Sequence, residues 1–296
     1  MNRARLSVRE RVGAVERRVR RMPPVRVLLS VMDSYGAAGG GLLASGLAFS
    51  ALFAVVPGLL LLVSVLVIVG DETLRTQVLD WVVAQVPPLK EVAESVIDSV
   101  ANSARVGSVI GFIGFVWGAS GFYLAIDGAI NRFFPAPRGR DPVMGRVRGV
   151  IATAVVVLAV LIAFVASAAI SVLNSKVLNI HADGLIPIVS PLVAVGAAWL
   201  VCLACYLLLP IRPPHWRAAL VPAIVAGTAI GLLTSLFGVL APMLVEGFTS
   251  LGVIASVFIA LVWLNWLFQA LLLGAAYARQ RDAHQRHREA EIARII

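Results

Sequence analysis

The chain has 296 residues, 59% of them hydrophobic and only 14% charged, with a formal net charge of +9. Soluble domains average about 45–50% apolar and about 25% charged, so this balance excludes an ordinary water-soluble globule and points to lipid as the solvent. In a soluble protein the basic excess would suggest nucleic acid; here the arginines cluster in particular loops and ends, and their placement is the informative quantity.

Residues 3–22 are arginine-rich, with Val8, Val12, Val15, Val19 and Met22 on one helical face. That pattern fits a helix lying in the membrane interface; a basic tail held to anionic lipid by charge alone is the other reading. The next apolar run, 42–69, is far longer than the roughly 7–15 residues of a signal-peptide core, so cleavage is not expected. Six candidate spans follow in order: 42–69, 107–130, 149–173, 187–209, 218–244 and 251–277. Each can supply the roughly 20 residues needed to cross a hydrocarbon core of about 30 Å. Between the first two, 71–106 reads as two short amphipathic helices broken at Pro87–Pro88. Leu89, Val92, Ala93, Val96, Ile97 and Val100 make its apolar stripe; Asp80, Glu91, Glu94 and Asp98 make its acidic side. It reads as an external hairpin resting on the leaflet, or as a lid over an outward cavity.

The expected fold is all-α: a polytopic membrane protein of six transmembrane helices with an external amphipathic helical hairpin. A basic segment, 1–34, precedes the membrane domain, 35–278, and a basic tail, 279–296, follows it. Of the 25 lysines and arginines, 21 fall in the N-terminal segment, the second–third loop, the fourth–fifth loop and the tail. Only Arg75, Lys90, Arg105 and Lys176 fall in the alternate loops. The positive-inside rule then places both termini in the cytoplasm of a bacterial inner membrane.

The second span carries two contrasting faces. Gly107, Gly111, Gly114, Gly118 and Gly121 form a stripe of small residues at helical spacing. Such a stripe lets helix backbones approach closely in lipid. Its partner is left open between the Gly227/Gly231/Ser235 face of the fifth span and a second protomer. The opposite side stacks Ser120, Tyr123, Asp127 and Asn131. An ionisable group in a span ordinarily faces a cavity or a partner, so Asp127 reads either as an interfacial carboxylate paired with an arginine or as the mouth of a transport path. Pro57 removes a backbone bond to Phe53 and is expected to break or kink the first span, with Ser50 on the same face. In the sixth span Asn265 and Gln269 lie one turn apart, suited to interhelical hydrogen bonding or to lining a polar cavity.

Enzymatic constellations are poor. The four histidines are scattered, and no phosphate-binding loop, HExxH or GxSxG occurs. Cys202 and Cys205 form a C-x-x-C inside an apolar span without further ligands, and read as buried helix residues. No catalysis, cofactor, metal or specific nucleic acid is expected.

Gly46-Leu-Ala-Phe-Ser50 through Pro57, Val86-Pro87, Trp117-x-x-Ser120 with Ala125-Ile-Asp127-Gly-Ala-Ile-Asn131, Pro210 with Arg212 and Arg217, and Leu251-Gly252 with Trp263 and Gly274-Ala275 occur in that order along the chain. Together they resemble the YihY/BrkB family over about residues 35–278. Leu251 stands where the family often has tyrosine, and Ala276 where it often has glutamate. The resemblance implies a six-span inner-membrane protein, some of whose relatives are linked to virulence or to export of envelope lipids and were once labelled as a ribonuclease. Two expectations follow. One is transport of a lipid or envelope amphiphile, with membrane lipids and a second copy of the chain as partners; the other is a scaffold acting through the glycine stripe and basic ends. A nuclease is disfavoured, because no carboxylate cluster for metal lies on the cytoplasmic side.

Overall fold

The computed structural model describes residues 23–69, 104–134, 186–247 and 253–295, and among these the regular structure is wholly α-helical. The helices are α1 (Pro23–Ala37), α2 (Gly40–Val69), α3 (Ala104–Phe133), α4 (Ile186–Leu208), α5 (Trp216–Gly247) and α6 (Val253–Ile295). The expected span at 149–173, nearly all of the external hairpin and the interfacial helix at 3–22 lie outside the described residues. Four helices, α2, α3, α5 and α6, are long and apolar enough to cross a membrane; α4 carries a shorter apolar stretch, Val195–Leu208.

The joint between α1 and α2 is only two residues long. Gly39 there takes a φ of +70°, its N–H donating to Gly36 O at 2.9 Å while Leu43 N–H donates to Gly39 O at 3.0 Å. A left-handed residue at this point ends one helix and starts the next, and glycine adopts it without a Cβ penalty.

Two helix pairs make the frame. In the first, the glycine stripe of α3 packs against α2, which corrects the two partners expected for it. A Cβ on Gly111 would lie 2.7 Å from the backbone nitrogen of Leu61, and one on Gly114 would lie 2.9 Å from Pro57 Cβ. One on Gly118 would collide with the carbonyl of Phe53. Helix α2 continues on both sides of Pro57. Proline has no N–H, so the carbonyl four residues earlier, at Phe53, loses its helical donor. Gly118 leaves room for that freed carbonyl, where any Cβ would collide with it. The glycine stripe thus fits a proline-marked helix rather than another glycine stripe. Gly121 has open space where its Cβ would be.

In the second pair, Gly227 and Gly231 of α5 pack on Trp199 and Val195 of α4. Trp199 Nε1 also donates to Thr228 Oγ1 at 3.0 Å. Helix α6 lies between the pairs and touches every other helix described.

The core mixes alanines with larger residues, and many large apolar side chains lie on the outside. Small residues such as Ala44, Ala129, Ala219, Ala260 and Ala275 are buried in the core, while Leu42, Trp117 and Leu124 stand 82%, 80% and 69% exposed. Helices in lipid gain from close backbone approach, and large apolar side chains on the outside meet acyl chains at no penalty. Cys202 and Cys205 are free thiols buried in α4.

Candidate functional site

The sequence-derived polar residues fall into two stitches and a remainder. The first stitch is at the C-terminal end of α3. Asn131 Nδ2 donates to Asp127 O at 2.8 Å, to Asp127 Oδ1 at 3.0 Å and to Leu209 O at 3.4 Å. Its Oδ1 accepts from Ile211 N–H at 3.0 Å. One amide side chain therefore satisfies both backbone groups of the loop that follows α4, at a helix end where carbonyls otherwise go unpaired. Asp127 is half-buried and orients the Asn131 amide.

The second stitch joins α2 to α6. Gln269 Nε2 donates to Asn265 Oδ1 at 2.9 Å, and Asn265 Nδ2 donates to Ser45 Oγ at 3.3 Å. Ser45 Oγ in turn donates to Gly41 O at 3.1 Å. Phe122 and Phe268, whose ring centroids are 5.7 Å apart, mark a common level on α3 and α6. The first stitch ties α3 to the loop after α4, and the second ties α2 to α6. Of the remaining candidates, Ser120 donates back to Val116 O at 2.6 Å and is exposed, Tyr123 and Ser50 are half-buried, and Pro57 faces Gly114.

The end of the bundle near Asn131 is also its basic end. There α6 runs on past the span as an unbroken helix to Ile295. Asp282 ties this extension to the bundle, its Oδ1 accepting from His215 N–H at 3.0 Å and its Oδ2 pairing with Arg286 Nε at 2.8 Å. Tyr206 of α4 donates to Leu271 O at 2.7 Å from a fully buried position, with Gly274 making room for its hydroxyl.

Sequence reading missed a groove beside this end. An open cavity of about 630 Å³ lies between α1, α5 and α6, lined by Val27, Leu28, Val31, Met32, Val225, Ala226, Ala229, Ala270, Leu273, Gly274 and Tyr277. Apart from the Tyr277 hydroxyl, its side chains are apolar. It meets a second cavity of about 290 Å³, lined by Val27, Tyr277, Gln280, Arg281, His284, Gln285 and Arg288. Val27 and Tyr277 belong to both. Tyr277 holds the junction: its hydroxyl accepts from Arg281 Nη1 at 3.3 Å, and the guanidinium lies 5.8 Å from its ring centroid. The groove was hidden because its walls are alanines, valines and leucines of the kind that also build the core. The one visible signal was the spacing of Tyr277, Arg281, His284 and Arg288, which recur every three or four residues and so share a helix face. Among the described residues no group of three or more histidines, cysteines or carboxylates is placed to hold a metal.

An all-helical bundle with small residues inside, large apolar side chains outside and helices long enough to span a bilayer defines a polytopic membrane protein. Residues 31–294 match the family model of virulence factor BrkB, and the chain belongs to that family. No curated protein and no solved structure matches it.

Proposed function

We propose that this protein is a non-enzymatic carrier that moves a lipid or envelope amphiphile within a bacterial inner membrane. The observation behind the reading is the apolar groove that merges, at Tyr277, with an arginine-lined cavity. Such a surface offers an acyl chain and a polar head adjoining places at the depth where a lipid already keeps them. The two glycine-seamed pairs on either side of α6 supply units that can shift relative to one another, as in the rocking of repeats in known transporters. The Asn131 stitch would govern that shift by tying α3 to the loop before α5. In this reading the basic end faces the cytoplasm and both termini lie on that side, as the arginine distribution requires.

The test is lipid translocation in proteoliposomes, comparing wild type with Asn131→Leu and Asp127→Asn. Carrier activity predicts dye-reported flipping above that of protein-free vesicles, with a changed rate in both variants. Flipping no faster than the protein-free control, across anionic and zwitterionic lipids, sinks the proposal. A scaffold reading draws on a different observation: Asn131 and Asn265 make hydrogen bonds to other elements, and Gln269 braces Asn265 within α6. It predicts that cellular function survives Asp127→Asn but fails in Gly118→Leu.

A further inference from the structure

We infer that the paired cavities at the basic end form one binding site for an anionic phospholipid, its phosphate held by Arg281 and Arg288 and one acyl chain lying along the apolar groove. The inference rests on the carrier reading and gives that carrier's ligand a chemistry and a place.

The polar cavity has the composition of an anion site. Two arginines, two glutamines and a histidine line it together with Val27 and Tyr277, and among the described residues no carboxylate does. Asp282, on the same stretch of α6, is engaged elsewhere with His215 N–H and Arg286. Glu289 lines a neighbouring cleft with His215, Trp216, Arg217, Gln285 and Arg288. Arg281 is fixed against Tyr277, so little side-chain freedom is left to lose when an anion binds. The Nδ1 of His284 lies 2.8 Å from Gln280 O. A carbonyl only accepts, so Nδ1 carries the proton and Nε2 is the ring's remaining polar atom. Gln280, whose Oε1 is buried with no hydrogen-bond partner among the described residues, also lines this cavity.

The apolar groove fixes the kind of anion. A free phosphate or nucleotide has no use for an apolar channel that runs about 10 Å along α6 from Tyr277 to Ala270. A membrane lipid needs both parts, in this order. The chain's own N-terminal stretch is a poor occupant, because residues 1–22 carry eight arginines against two glutamates and would meet like charge at the polar end. A zwitterionic lipid brings its own cation to the phosphate and gains less from two guanidiniums.

Native mass spectrometry of the purified full-length chain, titrated with phosphatidylglycerol or phosphatidylcholine, tests the site. Phosphatidylglycerol is expected to bind more tightly. Arg281→Gln combined with Arg288→Gln should weaken it by roughly tenfold or more, the order expected for lost charge-assisted hydrogen bonds. Arg212→Gln, an exposed charge outside both cavities, should not. Ala229→Phe fills the groove and should weaken binding as well; Met32→Trp, at a half-exposed groove position, does the same with less risk to folding. Equal binding of the two lipids overturns the proposal, as does an arginine effect matched by Arg212→Gln. So does normal binding in both groove-filled variants, or displacement of the lipid by equimolar inorganic phosphate, which would mark a simple anion site. Binding as expected without flux in proteoliposomes would keep the site and remove the carrier.

Discussion

Asn131 shows how much one side chain does at the end of a membrane helix. Its amide closes both a carbonyl and an N–H of the 209–211 loop, groups that would otherwise face a bundle with few donors. Asn131→Leu keeps the volume and removes both bonds, which should destabilise the protein by about 1–3 kcal/mol. Unfolding in mixed detergent micelles would register this as an earlier transition than wild type. Gly118 makes a sharper case. Its added Cβ meets the Phe53 carbonyl, whereas Gly121, three residues on, meets nothing. Gly118→Leu should therefore separate α2 from α3 at a cost on the order of 1–3 kcal/mol or more. Gly121→Leu should stay within about 0.5 kcal/mol of wild type by the same measurement. Two glycines of one stripe then give opposite results, and equal losses at both would contradict the seam.

At the scale of elements, the spans described by the structure follow the hydropathy closely, because apolar length is dictated by bilayer thickness whatever the tertiary contacts. Partnership between elements was less legible. The α3 stripe announced a close approach, but the surface it approaches is the α2 backbone from Phe53 to Leu61. Its only mark in the sequence is Pro57. The partners of Asn131 are main-chain groups some 80 residues away, which carry no side-chain signature at all. Residues 279–295 read as a basic tail from their charge, yet they continue α6 without a break. Asp282 contributes to that docking from a mostly buried side chain, its partner Arg286 being largely exposed. Asp282→Asn should thus cost about 1 kcal/mol or less, since the ion pair is solvent-screened and the amide oxygen can still accept from His215 N–H. Faster proteolysis of the extension, with an unchanged unfolding midpoint for the bundle, is the expected result.

Taken as a whole, the molecule turns many large apolar side chains outward, and its two cysteines are buried. That makes sidedness easy to measure. Cysteines placed at exposed Arg26 and Ala290 should both react with an impermeant maleimide from the cytoplasmic face, against the low background of Cys202 and Cys205. Labelling from opposite faces would require an odd number of crossings and would undo the topology inferred from the arginines. The apolar groove beside Tyr277 was the least legible part of the whole, since it arises from three helices that each look ordinary alone. One consequence follows from the length of α6. Its 43 residues form a rod of about 65 Å, twice the thickness of a hydrocarbon core. Between Gly274 and Ile295 the rod contains neither proline nor a further glycine, so it has no joint at which a tilt could be absorbed. A tilt of the arginine-rich arm is therefore carried along a stiff helix as far as Gly274, five residues from Gln269.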